Sequence, residues 1–117
     1  MSGDTFEMTM LFDFFGDLLT EKQREYFDLY YNEDLSLSEI SENVGITRQG
    51  VRDIIMRAEK TLVETEAKTG IVRRFVETLA DIDRARGIAS EIASSAGSDR
   101  VRELAEQLSE ILAGMKG

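Results

Sequence analysis

Cysteine, histidine and proline are all missing from this 117-residue sequence. Without cysteine there is neither a disulfide nor a thiolate metal site, which fits a reducing compartment and predicts a cytoplasmic protein. Without histidine the commonest general base and metal ligand is lost, and with it every Ser-His or Cys-His nucleophile arrangement. The lack of proline, with β-branched residues scattered rather than gathered in alternating runs, predicts an all-α chain. Long apolar runs are missing too. The longest mostly apolar stretch, Met8 to Phe15, is interrupted by Thr9 and Asp13, and it is far shorter than the roughly 20 residues that cross a bilayer. No basic region precedes it and no small-residue cleavage site is present, so no signal peptide is expected. Asp4, Glu7, Asp13 and Asp17 would repel anionic lipid, so no membrane partner is expected either.

What the chain has in excess is negative charge, −9 overall. Residues 1–19 hold four acids and no bases, residues 20–66 eleven acids and six bases, and residues 67–117 eight of each. Affinity for phosphate comes mainly from Lys and Arg displacing condensed counterions, so a net negative module binds nucleic acid only if its bases are gathered on one face. Arg48, Arg52, Arg57 and Lys60 cluster in one predicted helix and supply a modest patch of that kind.

The stretch Ser36 to Lys60, SLSEISENVGITRQGVRDIIMRAEK, organises the rest. Ser36 and Glu39 form a capping box in which hydroxyl and carboxylate each satisfy a backbone donor at a helix start. Ile40 and Val44 lie four apart on the inner face of that helix, and Gly45 allows the positive φ at which a helix stops and the chain turns. Ile46 fills the corner and Thr47 caps the next helix. Its apolar stripe is Val51, Ile54, Ile55, Ala58 and Leu62, at a 3.6-residue period. Gln49, Arg52, Asp53, Met56 and Lys60 occupy the opposite face. A short support helix, a tight turn with glycine and a longer helix with polar groups outward is the helix-turn-helix pattern.

On either side the reading stays helical. Residues 5–19 predict a helix with Met8, Leu11, Phe12, Phe15 and Leu19 inward; Met10 and Phe14 remain, either for the core or for a partner-binding face. Thr20 and Gln23 form a second capping box, and the helix after it buries Tyr26, Phe27, Tyr30 and Tyr31 before the polar turn Asn32 to Asp34. The helix from Arg48 is expected to reach about Glu66, with a break near Gly70. A long amphipathic run follows from Ile71 to Ile92, weakened at Gly87. After the loop Ser94 to Ser98, a last helix capped by Ser98 or Asp99 carries Val101, Leu104, Ala105, Leu108, Ile111 and Leu112 on one face. The predicted architecture is all-α: an N-terminal apolar helix (1–19), a three-helix helix-turn-helix bundle (20–66), and a C-terminal helical hairpin extension (67–117). The extension either packs on the bundle or self-associates through a heptad-like seam, giving a homodimer.

With these residues in view, Leu18 to Lys68, LLTEKQREYFDLYYNEDLSLSEISENVGITRQGVRDIIMRAEKTLVETEAK, resembles the YlxM family of small bacterial helix-turn-helix proteins along its length, and the overlapping FDFFGDLL also fits. The resemblance covers roughly the first two thirds of the chain, the remainder matching only as amphipathic helices. It implies a fold similar to region 4 of bacterial sigma factors. Genes of that family commonly lie beside those for the signal recognition particle protein and its receptor. The resemblance therefore implies a role in that pathway or as a regulator, with signal recognition particle protein or RNA as partner.

Three functions are weighed. The first is a nucleic-acid-binding regulator, for DNA or RNA, in which Thr47, Arg48, Gln49 and Arg52 meet base edges or phosphates and Arg57 and Lys60 extend the patch. The alternative is a protein-interaction module that binds a signal recognition particle component without contacting nucleic acid, its acidic exterior complementing a basic partner. The third is an enzyme. Its candidate carboxylate pairs, Glu39 with Glu42 and Asp81 with Asp83, lie beside no recognisable catalytic group, and neither catalysis nor a cofactor is expected.

Overall fold

The helix starts that the sequence signals are hydrogen-bonded caps in the computed structural model, which describes residues 5–116. Residues 1–4, including the Asp4 noted above, and Gly117 lie outside the described residues. The order is α1 (Thr5–Phe15), a 3-10 turn (Gly16–Leu18), α2 (Glu21–Tyr31), α3 (Leu37–Val44), α4 (Arg48–Thr69), α5 (Ile71–Ser95) and α6 (Asp99–Met115). Among the described residues there is no strand, and the fold is all-α as the sequence predicts.

The Thr20 hydroxyl oxygen accepts from the Gln23 amide at 3.2 Å while the Gln23 side chain accepts from the Thr20 N–H at 3.0 Å. Ser36 and Glu39 make the same reciprocal pair at 3.1 and 3.0 Å. Thr47 accepts from the Gly50 N–H at 3.0 Å, and Ser98, rather than Asp99, caps α6 by accepting from the Val101 N–H at 3.2 Å. Gly45 closes α3 at φ 76° and Gly70 closes α4 at φ 63°, left-handed conformations in which a Cβ is strained.

Two boundaries depart most from the sequence reading, and α5 also runs on to Ser95, into the expected loop. The N-terminal helix ends at Phe15 rather than continuing to residue 19, because Gly16 opens a 3-10 turn and Leu19 goes extended, at φ −85° and ψ 155°, to lead into the Thr20 cap. Leu19 is still buried, reached by that bend rather than by helical periodicity. At the other end α4 runs on to Thr69, where the Gly70 N–H bonds to the Glu66 carbonyl at 2.8 Å and the Glu66 carboxylate accepts from the Val72 N–H at 2.9 Å. Glu66 thus links the end of one helix to the beginning of the next. Gly87 does not interrupt α5.

The chain divides into two compact units, Met1–Val72 and Arg73–Gly117. In the first, α2, α3 and α4 form the helix-turn-helix bundle, around a cluster of Tyr26, Ile40, Val51 and Ile55. A second cluster joins α1 to the far half of α4 through Met8, Leu11, Phe15, Leu19, Phe27, Ala58, Leu62 and Val72. Burying the larger of these side chains contributes about 1.5–3 kcal/mol each, which is what holds short helices such as α3 that would not persist alone. Aromatic rings run through the bundle: Phe12 stacks on Phe27 at 4.7 Å, and Phe27 meets Tyr31 at 4.5 Å. Tyr30 and Tyr31, expected in the core, are only half-buried.

In the second unit α6 folds back along α5, so that the Lys116 ammonium reaches the Asp83 carboxylate at 2.6 Å. Ile82, Ala89 and Ala105 are buried there. The face predicted to turn inward on α6 splits: Ala105 is buried and Leu112 half-buried, whereas Val101, Leu104, Leu108 and Ile111 are exposed. No helix among the described residues is long and apolar enough to cross a membrane.

Candidate nucleic-acid interface

Geometry around α4 begins with the turn that launches it. Gly50 lies where a Cβ would come within 3.2 Å of the Thr47 hydroxyl oxygen and 3.3 Å of the Ile46 Cδ1. The missing side chain gives the cap and the corner residue room to close over the helix start. Thr47 is thereby occupied as a cap, and Arg48, Gln49 and Arg52 are left as the exposed side chains of the first turns.

Arg48 and Arg52 are four residues apart, roughly 40° around a helix of 3.6 residues per turn, so they point the same way. Both line a surface groove with Gln49, the other walls being Tyr30 of α2 and Ser36, Leu37 and Ser38 at the start of α3. Arg48 donates to the Ser38 hydroxyl at 3.2 Å, which fixes its guanidinium over the beginning of α3. Gln49 donates one of its two amide hydrogens to Asp53 at 2.8 Å, which orients the side chain along the helix.

The remaining bases do not join this group. Arg57 lies roughly 140° farther round the helix than Arg52, and neither it nor Lys60 lines the groove. Lys60 faces Glu64 at 4.0 Å instead. Of the six candidate residues, then, the structure brings Arg48, Gln49 and Arg52 together, assigns Thr47 to capping, and places Arg57 and Lys60 elsewhere on α4. Sequence reasoning overlooked Tyr30 and Ser38 as groove walls. The signal for Ser38 was its position in the first turn of the support helix, where a hydroxyl faces the start of the following helix.

One charged residue on α4 went unnoticed in the sequence. Glu59 is buried, and the Tyr31 hydroxyl donates a short hydrogen bond to its carboxylate. It falls between Ala58 and Leu62 on the apolar stripe, a place where a carboxylate is tolerated only with a donor beside it. Burial first, then the hydrogen bond to Glu59, pushes the Tyr31 phenol well above its ordinary range. On α3, the Ser36 backbone N–H and then its hydroxyl hold the Glu39 carboxyl below the usual carboxylate range. Glu39 is thus a capping group. Asp81 and Asp83, the other carboxylate pair, each meet a base, Arg84 at 3.6 Å and Lys116 at 2.6 Å.

A support helix, a glycine-closed turn and a longer helix with its first polar residues facing out define a helix-turn-helix protein. The comparisons with known sequences agree: the chain belongs to the UPF0122 family, described as "Putative helix-turn-helix protein, YlxM / p13 like", whose family model matches residues 3–98. The chain is 50% identical over 84 residues to a UPF0122 protein of Thermoanaerobacter sp. strain X514, a match that covers 72% of each. It is 49% identical over 84 residues to a UPF0122 protein of Caldanaerobacter subterraneus, again 72% of each chain. A Bacillus cereus strain AH187 relative is 44% identical over 87 residues, covering 74% of this chain and 79% of that protein.

Proposed function

We propose that this protein is a cytoplasmic, non-enzymatic regulator or accessory factor of the signal recognition particle pathway that binds nucleic acid through Arg48 and Arg52. The observation that carries the reading is the pairing of these two exposed guanidinium groups over one groove, with the Ser36 and Ser38 hydroxyls in its opposite wall. Guanidinium and hydroxyl donors together suit phosphate oxygens. The pathway rests on membership of a YlxM-like family, and a homodimer, DNA or RNA, and signal recognition particle RNA or protein are the partners this reading assigns. Two guanidinium groups make a small electrostatic footprint, corresponding to a salt slope of roughly −2 on duplex DNA.

A second reading, docking on a signal recognition particle protein without touching nucleic acid, is favoured by one observation. Thr5 to Asp34 holds eight acids against two bases, a surface that complements a basic protein.

Fluorescence anisotropy with labelled signal recognition RNA and with random duplex DNA, across about 50 to 200 mM salt, tests the first reading. The double variant Arg48→Glu with Arg52→Glu is expected to lose at least ~10-fold in affinity while keeping its helical circular dichroism, and Arg57→Glu to lose less than ~3-fold. Equal binding by the double variant and the parent protein would overturn the assigned site. No binding of either nucleic acid at low salt would leave the docking reading.

A further inference from the structure

On α6, Val101, Leu104, Leu108, Ile111 and Met115 follow one another at intervals of three, four, three and four residues, the a and d spacing of a coiled-coil seam. Every one is exposed, from 43% at Val101 to 63% at Ile111. A different stripe of α6, with Ala105 buried and Ser109 and Leu112 half-buried, is the covered one. Helix α6 therefore carries two apolar stripes and the chain covers one of them.

The exposed seam is continued by α5. The two helices share a polar groove lined by Ser90, Ser94, Arg102, Glu106 and Glu110. For antiparallel helices of 3.6 residues per turn, the residues lying on the other side of the hairpin from that groove are Ile88 and Ile92 on α5 and the a and d residues on α6. Ile88 is 56% exposed and Ile92 45%. One face of the hairpin is thus polar and the other apolar.

We infer that this apolar face is the self-association surface of the protein, where a second copy of the chain packs hairpin against hairpin in a two-fold-symmetric four-helix bundle. Charge argues for a second copy, although two chains of net charge −9 repel each other overall. The acids of α6, Asp99, Glu103, Glu106 and Glu110, all fall at c and f positions away from the seam. The flanking e and g positions are Arg100, Ala105, Gln107, Leu112 and Gly114. No carboxylate of α6 flanks its seam, so two copies of α6 can meet along it without bringing their acids together. Size argues the same way. The exposed apolar residues of the face amount to on the order of 600 Å², against the roughly 800 Å² that each partner contributes to a standard specific interface. The flanking residues supply the remainder. The inference is independent of nucleic-acid binding.

The full chain, studied without nucleic acid, tests it. Sedimentation velocity at about 100 µM is expected to give twice the chain mass of 13.2 kDa. Leu104→Glu with Leu108→Glu is expected to weaken association by roughly 100-fold or more, since two central anchors are lost, with helical circular dichroism retained. Because the chain has no cysteine, a single Leu108→Cys reports proximity directly: near the middle of the seam it should form an intermolecular disulfide on oxidation, and Glu106→Cys on the polar face should not. A monomer at that concentration overturns the inference and leaves the face to a different protein. A dimer that survives the double glutamate variant, or that cross-links through Glu106→Cys instead of Leu108→Cys, overturns it as well.

Discussion

The two units of this chain are both built from amphipathic helices, yet the first buries far more of its large side chains than the second. In Met1–Val72, Phe27, Ile40, Val51, Ile55 and Leu62 are all 0% exposed. In Arg73–Gly117 the buried residues are Ile82, Ala89 and Ala105, while Ile88, Ile92, Leu104 and Ile111 stand out in solvent. The difference is one of geometry. Helix α4 is covered from three sides by α1, α2 and α3, so a wide stripe on it finds neighbours everywhere. A pair of helices has only one mutual seam, and small residues such as Ala89 and Ala105 let that seam close. Any further apolar stripe on a hairpin is left over, and its presence in the sequence reports a surface rather than a core.

Truncations to alanine should separate the two units. Phe27→Ala removes a ring that stacks on Phe12 and packs on Tyr31; it should lower the unfolding free energy by about 3–5 kcal/mol in a urea titration. Ile111→Ala, measured under dilute conditions where the chain is monomeric, should cost less than about 1 kcal/mol, because that side chain is 63% exposed before the change. Similar costs at the two positions would abolish the contrast.

Glycine to alanine changes should differ in sign. A Cβ at Gly45 meets nothing within 4 Å, but the backbone there is at φ 76°, so Gly45→Ala should destabilise by about 1–2 kcal/mol. Gly87 has equally open surroundings and an ordinary helical conformation. Gly87→Ala should therefore stabilise by about 0.5–1 kcal/mol. Thermal melting of the two variants side by side reads the difference.

The smallest effect concerns pH. Tyr31 holds its proton more tightly in the folded than in the unfolded chain, its phenol being raised from 10.0 by burial and by Glu59. Its contribution to stability is complete below the unfolded value and is lost as pH climbs above about 10. Tyr31→Phe should flatten that part of the stability profile relative to the parent protein, as followed by denaturant midpoints between about pH 9 and 11. An unchanged slope would show that the Tyr31–Glu59 contact does not couple folding to protonation.

Local chemistry made much of the helix-turn-helix legible. Ser36 with Glu39, Thr20 with Gln23, and Thr47 are caps whose partners lie within three residues, so no distant contact is needed to recognise them. Ile40, Val51, Ile55, Ala58 and Leu62 were readable as core because a period of 3.6 residues fixes their common direction once the helix is known. Two features escaped that logic. Leu19 reaches the core through a 3-10 bend that breaks the period. Glu59 reads as a surface acid until its partner Tyr31, 28 residues earlier, is brought against it.

The candidate site shows the same division at shorter range. Arg48, Gln49 and Arg52 were singled out because the first turns of a second helix face outward. That Arg57 points away from Arg48 and Arg52 was already fixed by the helical period; that the pair shares a groove with Tyr30 and Ser38 follows only from the packing of α2, α3 and α4. By itself the sequence determined where helices begin and turn and which face of α3 and α4 is apolar, because caps, glycine turns and helical period are properties of neighbouring residues. Tertiary structure decided which of two apolar stripes on α6 is covered, which residues of α2 and α3 wall the groove beside Arg48 and Arg52, and which carboxylate is buried. Each of those depends on what another helix brings to the same place, and a one-dimensional pattern does not encode the distance between residues far apart in the chain.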